Sequence, residues 1–138
     1  MSVEENKEIV RRFIEEFWNQ KKLEVADEVF TPDAACPSVP TLPAGPEGVK
    51  MIGKMTFEGF PDFNMKIEKL VGNGDMVGAY FIESGTHQGN FMGIAATGKS
   101  VSFEEMGLFK FENGKVTISW FEMDMIGLMQ QLGVMPKS

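Results

Sequence analysis

Apolar residues in the first twenty positions recur in steps of one and three: Ile9, Val10, Phe13, Ile14, Phe17 and Trp18 draw one stripe, while Lys7, Glu8, Arg11, Arg12, Glu15 and Glu16 fall on the opposite side. That period predicts an amphipathic helix over residues 3–19. Ser2 and Glu5 stand at capping-box spacing at its start. A shorter helix fits residues 23–30 and ends at Thr31-Pro32. Residues 33–46 hold Pro37, Pro40, Pro43 and Gly45, too many breakers for a helix or a central strand, so the segment reads as a loop laid over something, with the length of a lid. Pro46 then opens a third helix, with Val49, Ile52 and Met55 on its buried side, which runs to residues 59–61.

Beyond residue 62 the pattern changes to strands. Residues 63–70 alternate imperfectly, and Asn73-Gly74 accepts the positive φ values of a tight hairpin turn. A long aromatic and β-branched run covers 76–88, a glycine-containing loop 89–98, and a further strand 99–111. Asn113-Gly114 marks a second tight turn before a strand over 115–124. A Leu/Met/Gln helix over 125–132 closes at Gly133, a suitable left-handed cap. Three helices followed by an antiparallel meander predict an α+β fold in which a curved sheet carries helices on one face. With no repeat or linker, the expectation is a single domain over residues 1–138.

Composition narrows the partners. Apolar residues make up 43% of the chain, and no stretch approaches the ~20 apolar residues of a membrane-spanning helix. The formal net charge of -7 repels phosphate backbones and anionic lipid, which argues against nucleic-acid and membrane binding. The N-terminus lacks a basic-then-apolar signal pattern, and a lone cysteine excludes an internal disulfide; both favour a cytoplasmic location. Phe (12) and Met (11) are abundant against one Tyr, a supply of adaptable apolar surface suited to a core or to a pocket for a planar ligand.

Candidate chemistry centres on the segment 114–133, where an apolar strand ends in Asp124. A carboxylate beside such a greasy segment is costly unless it is used or paired. Shielded by apolar walls its pKa would rise, giving a usable base and then an acid. Asp before a short helix is equally a favoured N-cap. His87, the only histidine, could bond a substrate oxygen, orient Asp124, or cap a strand end. Phe13, Phe17, Trp120 and Met106 are candidate pocket walls. Glu122 shares strand parity with Trp120 and Asp124 and is a candidate for the same face, though it reads more often as a rim or surface charge. Cys36 is a pocket candidate and more often an inert small apolar residue than a nucleophile. One His, one Cys and scattered carboxylates give no metal-ligand spacing, and residues 93–98 lack the strand-turn-helix context of a phosphate loop, so neither metal nor cofactor is expected.

With these elements placed, the chain resembles the SnoaL-like polyketide cyclases, or ester cyclases, of the NTF2-like superfamily. The resemblance is carried by NKEIVRRFIEEFWNQ and VADEVFTPD near the N-terminus, by GPEGVK and FPDF in the middle, by GTHQGNFMGI and TGK, and by FENGKV through DMIGLMQQLG. It implies a cone-shaped α+β fold, a deep apolar pocket, a homodimer, and cofactor-independent acid/base ring closure of the intramolecular aldol type on a bulky, carbonyl-bearing hydrophobic small molecule. It also implies that the acid/base aspartate falls on Asp124, and that the family's GTH motif falls on Gly85, Thr86 and His87. Two departures stand out. Ala34-Ala35-Cys36-Pro37 replaces a polar pair common in relatives, and Met106-Gly107-Leu108 replaces a polar strand position. The alternative reading is therefore a non-catalytic module that keeps the cone and binds a small molecule.

Overall fold

The computed structural model describes residues 1–136. Helix α1 (Val3–Arg12) starts from the Ser2–Glu5 capping box, with each side chain bonded to the other residue's backbone N–H. It continues without a break into a π-helical segment, Phe13–Asn19. Wider turns bring side chains about five apart onto one face, so Phe13 and Trp18 meet edge to face at 6.4 Å. Helix α2 (Val25–Val29) is short, and α3 (Pro46–Gly59) begins on the proline that suits a first turn.

Strands β1 (Phe30–Ala35), β2 (Asn64–Asn73), β3 (Met76–Thr86), β4 (Ser100–Glu112) and β5 (Lys115–Met123) form one sheet in the order β1-β5-β4-β3-β2. Only β1 runs parallel to its neighbour. It corrects the loop expected from residue 33. Pro32 removes a ladder donor but is tolerated at a sheet edge, and the register shift between Phe30 and Ala35 marks an irregular edge strand. The two Asn-Gly signals work as expected: β2–β3 and β4–β5 are hairpins closed at Gly74 and Gly114, both with positive φ.

One sheet face is buried beneath the helices. Val77, Ala79, Phe81 and Glu83 on β3, and Val101, Phe103, Phe109 and Phe111 on β4, alternate into the interior, where they meet Val10, Phe13, Ile14 and Phe17. α3 approaches the π-helical segment closely because residue 53 has no side chain: a Cβ there would stand 2.8 Å from the Phe17 ring. Helix α4 (Met125–Leu132) closes one end, where Gln131 exchanges two 2.8 Å hydrogen bonds with the Ser102 backbone. Gly133 stops it in the left-handed conformation. The whole is the NTF2-like cone: a curved mixed sheet wrapped by N-terminal helices, with a short C-terminal helix. Among the described residues no helix is long and apolar enough to cross a membrane.

Candidate active site

Between the buried sheet face and the helices lies a cavity of about 100 Å³. Phe13, Ile14 and Trp18 of the π-helical segment, Val49, Ile52 and Thr56 of α3, and Phe81, Phe103 and Phe109 of the sheet supply its walls. Past Ile118, where its pairing with β1 ends, β5 is an open edge. The proline-rich segment covers that edge: the Phe121 N–H donates to Ser38 Oγ at 3.0 Å, and Cys36, Leu42 and Pro43 line the cavity from above.

Two carboxyl groups enter this apolar space, Glu83 from β3 and Glu105 from β4. Glu83 pairs across the ladder with Phe103 and Glu105 with Phe81, so the two glutamates are diagonal neighbours on the same face. Strand alternation separates Glu105 from Glu104, whose carboxylate lies on the outer face and accepts the Tyr80 hydroxyl at 2.6 Å. Glu83 is 2% exposed, and its Oε2 has no hydrogen-bond partner. Glu105 keeps a little accessible surface, and it lines the cavity.

Such surroundings favour the neutral form of an acid. Burial pushes Glu83 up to about 10, helped by the nearby charge of Glu105 and by the hydrogen bond between the two. Burial also raises Glu105, to about 7, against a lowering from its hydrogen bond with Glu83. The two acids titrate together, and with both pushed up the pair carries at most one negative charge at neutral pH. Apart from these two, the only titratable group lining the cavity is Cys36; no Lys, Arg or His lines it among the described residues.

Of the residues expected from sequence, Phe13, Trp120 and Cys36 line the cavity, and the others lie elsewhere. Asp124 corrects the expectation of a shielded acid. It is exposed, and its Oδ1 accepts the Gly127 N–H at 2.9 Å, capping α4. The physical reason is parity. Ser119, Phe121 and Met123 face the cavity along β5, which sends Glu122 and Asp124 outward, and Glu122 is exposed too. Trp120 also lines the cavity, although its strand parity is that of Glu122 and Asp124. Met106 points from the outer face of β4 and is 61% exposed. Phe17 is fully buried in the core, its ring 5.0 Å from that of Phe13 and edge to face with Trp18 at 5.0 Å.

His87 is completely buried and lies outside the cavity lining. Its Nδ1 accepts the Thr97 backbone N–H at 3.3 Å and lies 3.0 Å from Thr97 Oγ1. Its ring packs 5.3 Å from Phe60. It pins the loop after β3 rather than meeting Asp124. No group of three or more potential metal ligands occurs among the described residues.

Sequence reasoning missed Glu83 and Glu105. The signal was present: the alternation Val77-Ala79-Phe81 carried forward puts Glu83 inside, and Val101-Phe103 does the same for Glu105.

Comparison with known proteins agrees with this architecture. The family model described as SnoaL-like polyketide cyclase matches residues 8–132. The solved structure of TsrD from Streptomyces laurentii is similar with a TM-score of 0.90 and 26% identity, over 98% of this chain and 99% of that one. AclR from Streptomyces galilaeus, described as a candidate hydroxylase, gives a TM-score of 0.87 and 27% identity over 99% and 89% of the two chains. IdmH from Streptomyces antibioticus, titled as a candidate polyketide cyclase, gives 0.80 and 27% over 94% and 99%. No curated protein matches the chain. The chain belongs to the SnoaL-like polyketide cyclase family, and with it to the class of cyclase- and isomerase-type enzymes built around a hydrophobic pocket.

Proposed function

We propose that this SnoaL-like chain catalyses cofactor-independent proton transfer on a carbonyl compound, of the kind that starts an intramolecular aldol closure or an isomerisation. The observation that carries the reading is the carboxyl pair: two acids on neighbouring strands, held in one apolar cavity and reluctant to ionise. Glu105, which titrates near neutrality, removes a proton from carbon flanked by carbonyl groups. Glu83 stays neutral and donates a hydrogen bond to the oxygen on which negative charge develops. Proton return from Glu105 to the new alkoxide or to the rearranged carbon completes the cycle. Aromatic walls hold a flat ring, and such positioning contributes on the order of several kcal/mol to the lowered barrier. A cavity of about 100 Å³ is smaller than the roughly 150 Å³ that encloses benzene, so a bulky substrate presents only its reactive end.

The test is deuterium uptake at the α-carbon of an aryl 1,3-diketone in D₂O, followed by NMR. Wild-type protein should catalyse the exchange, and E105Q should lose about 10²–10⁴-fold of that rate. An unchanged rate in a folded E105Q protein would remove the acid/base role and leave the cavity as a binding site only. The family resemblance also supports a homodimer. Met106 and Leu108, 61% and 39% exposed on the outer sheet face, are suitable contacts for a second copy. Sedimentation equilibrium at twice the chain mass, lost in M106K/L108K, is the expected outcome.

A further inference from the structure

The cavity combines features that a carbonyl substrate alone does not require. Its walls are largely aromatic, with Phe13, Trp18, Phe81, Phe109 and Trp120 among them. Its only charged groups are acids, and one carboxyl oxygen, Glu83 Oε2, is buried with no partner. Aromatic faces attract cations through their quadrupole, more strongly when the cation leaves water. Opposite charge favours ionisation of a buried carboxyl.

We infer that the same cavity takes small hydrophobic ammonium ions, which seat their charge on Glu83 and Glu105 and stack their apolar body on the aromatic walls. Such amines compete with the substrate. A protonated amine entering the site supplies the counter-charge that the pair lacks, so the pair gives up a proton to solvent as the amine binds. The proton count is closed: RNH₃⁺ plus the protonated pair yields the RNH₃⁺–carboxylate complex and one released H⁺. The long-range field helps, since a chain with a net charge of -7 draws cations toward itself. The cavity, about 100 Å³ and not sealed, is smaller than the roughly 150 Å³ that encloses benzene, so a one-ring amine seats its ammonium end on the pair and leaves part of its ring toward the opening. Beyond the pair, the side chains lining the cavity among the described residues include no Lys, Arg or His, so no resident cation competes.

Only the competition with substrate rests on the carboxyl pair being the reactive centre; amine binding itself is tested apart from turnover. Isothermal titration calorimetry with benzylamine and with its neutral counterpart benzyl alcohol reads the preference directly. At about pH 8 benzylammonium should bind at least about tenfold more tightly than the alcohol, and the preference should shrink at about pH 5, where the pair holds its protons. At about pH 6 the binding heat of the amine should change with the ionisation enthalpy of the buffer, the mark of proton release. E105Q should bind benzyl alcohol as wild type does and lose the preference for the amine. Equal affinity for the two probes at every pH, tighter binding of the alcohol, no binding by either, or a preference untouched by E105Q would each overturn the inference. If E105Q lost the amine preference yet kept full deuterium-exchange activity, the acid/base reading would fail while this one stood.

Discussion

Asp124 and Glu105 show how differently one carboxyl behaves in two surroundings. Asp124 is tied to the first turn of α4, and residue 127 must lack a side chain for that cap to form: a Cβ there would collide with the Asp124 carboxylate. Asp124→Ala should therefore cost about 1 kcal/mol of stability, read by urea unfolding, with α-proton exchange unchanged. A large loss of exchange at full folding would return chemistry to Asp124. Glu83 and Glu105 behave oppositely. Their proton affinities are higher in the folded than in the unfolded chain, so their contribution to stability is complete below the ordinary carboxylate range. It is lost as pH rises through about 7 for Glu105 and on toward about 10 for Glu83. The thermal midpoint should fall between about pH 5 and pH 8, and E83Q or E105Q should flatten that slope and raise stability at neutral pH by roughly 0.5–2 kcal/mol. A slope identical to wild type in both variants would contradict buried, proton-holding acids.

At the scale of elements, most of the fold is legible in the sequence. The capping box, the apolar stripe, Pro46 and the two Asn-Gly turns each act through local chemistry, and each element they mark is present. Two features escape a local reading. The π-helical register of Phe13–Asn19 is announced by no distinctive residue in the sequence. Strand β1 exists because an edge forgives Pro32, and which strand becomes an edge is decided by the whole sheet. The site was legible only in part. The end of β5 drew attention because an acid follows an apolar run there, but a helix cap explains that acid. Glu83 and Glu105 each sit within a strand beside one polar neighbour, Ser84 and Glu104, and counting parity from the buried residues before them was the one signal for their inward aim. Close packing between elements is itself testable. Gly53→Ala places a methyl group within 2.8 Å of the Phe17 ring and should destabilise by about 1–3 kcal/mol. An unchanged unfolding midpoint would show that α3 yields at no cost.

For the molecule as a whole, the arrangement separates support from reaction. His87 pins the loop after β3 through Thr97, Asp62 accepts both the Thr86 N–H and its hydroxyl at 2.7 and 2.8 Å, and Asp124 secures α4. The acids that face the hollow are left with little beyond each other. Asp62 and Asp124 are satisfied, whereas Glu83 Oε2 in the hollow has no partner, as expected where stability is traded for chemistry; His87 Nε2 and Asn6 Oδ1 are likewise buried without one. The Ala34-Ala35-Cys36 and Met106-Gly107-Leu108 departures take on a different meaning in this setting. Ala34, Ala35, Cys36 and Gly107 line the cavity and keep its walls small and apolar, which strengthens the desolvation that holds the protons on the pair.

The central claim is that both glutamates in the hollow resist ionisation. The most direct measurement is a pH titration of protein carrying ¹³C at the glutamate side-chain carboxyl carbons, with E83Q and E105Q used to assign the two signals. The account expects two resonances that remain in the protonated position well above pH 5, one moving near neutrality and the other only under alkaline conditions. If every glutamate signal instead moved within the ordinary range around pH 4.3, the pair would be an ordinary set of solvated charges, and the chemistry assigned to it would not hold.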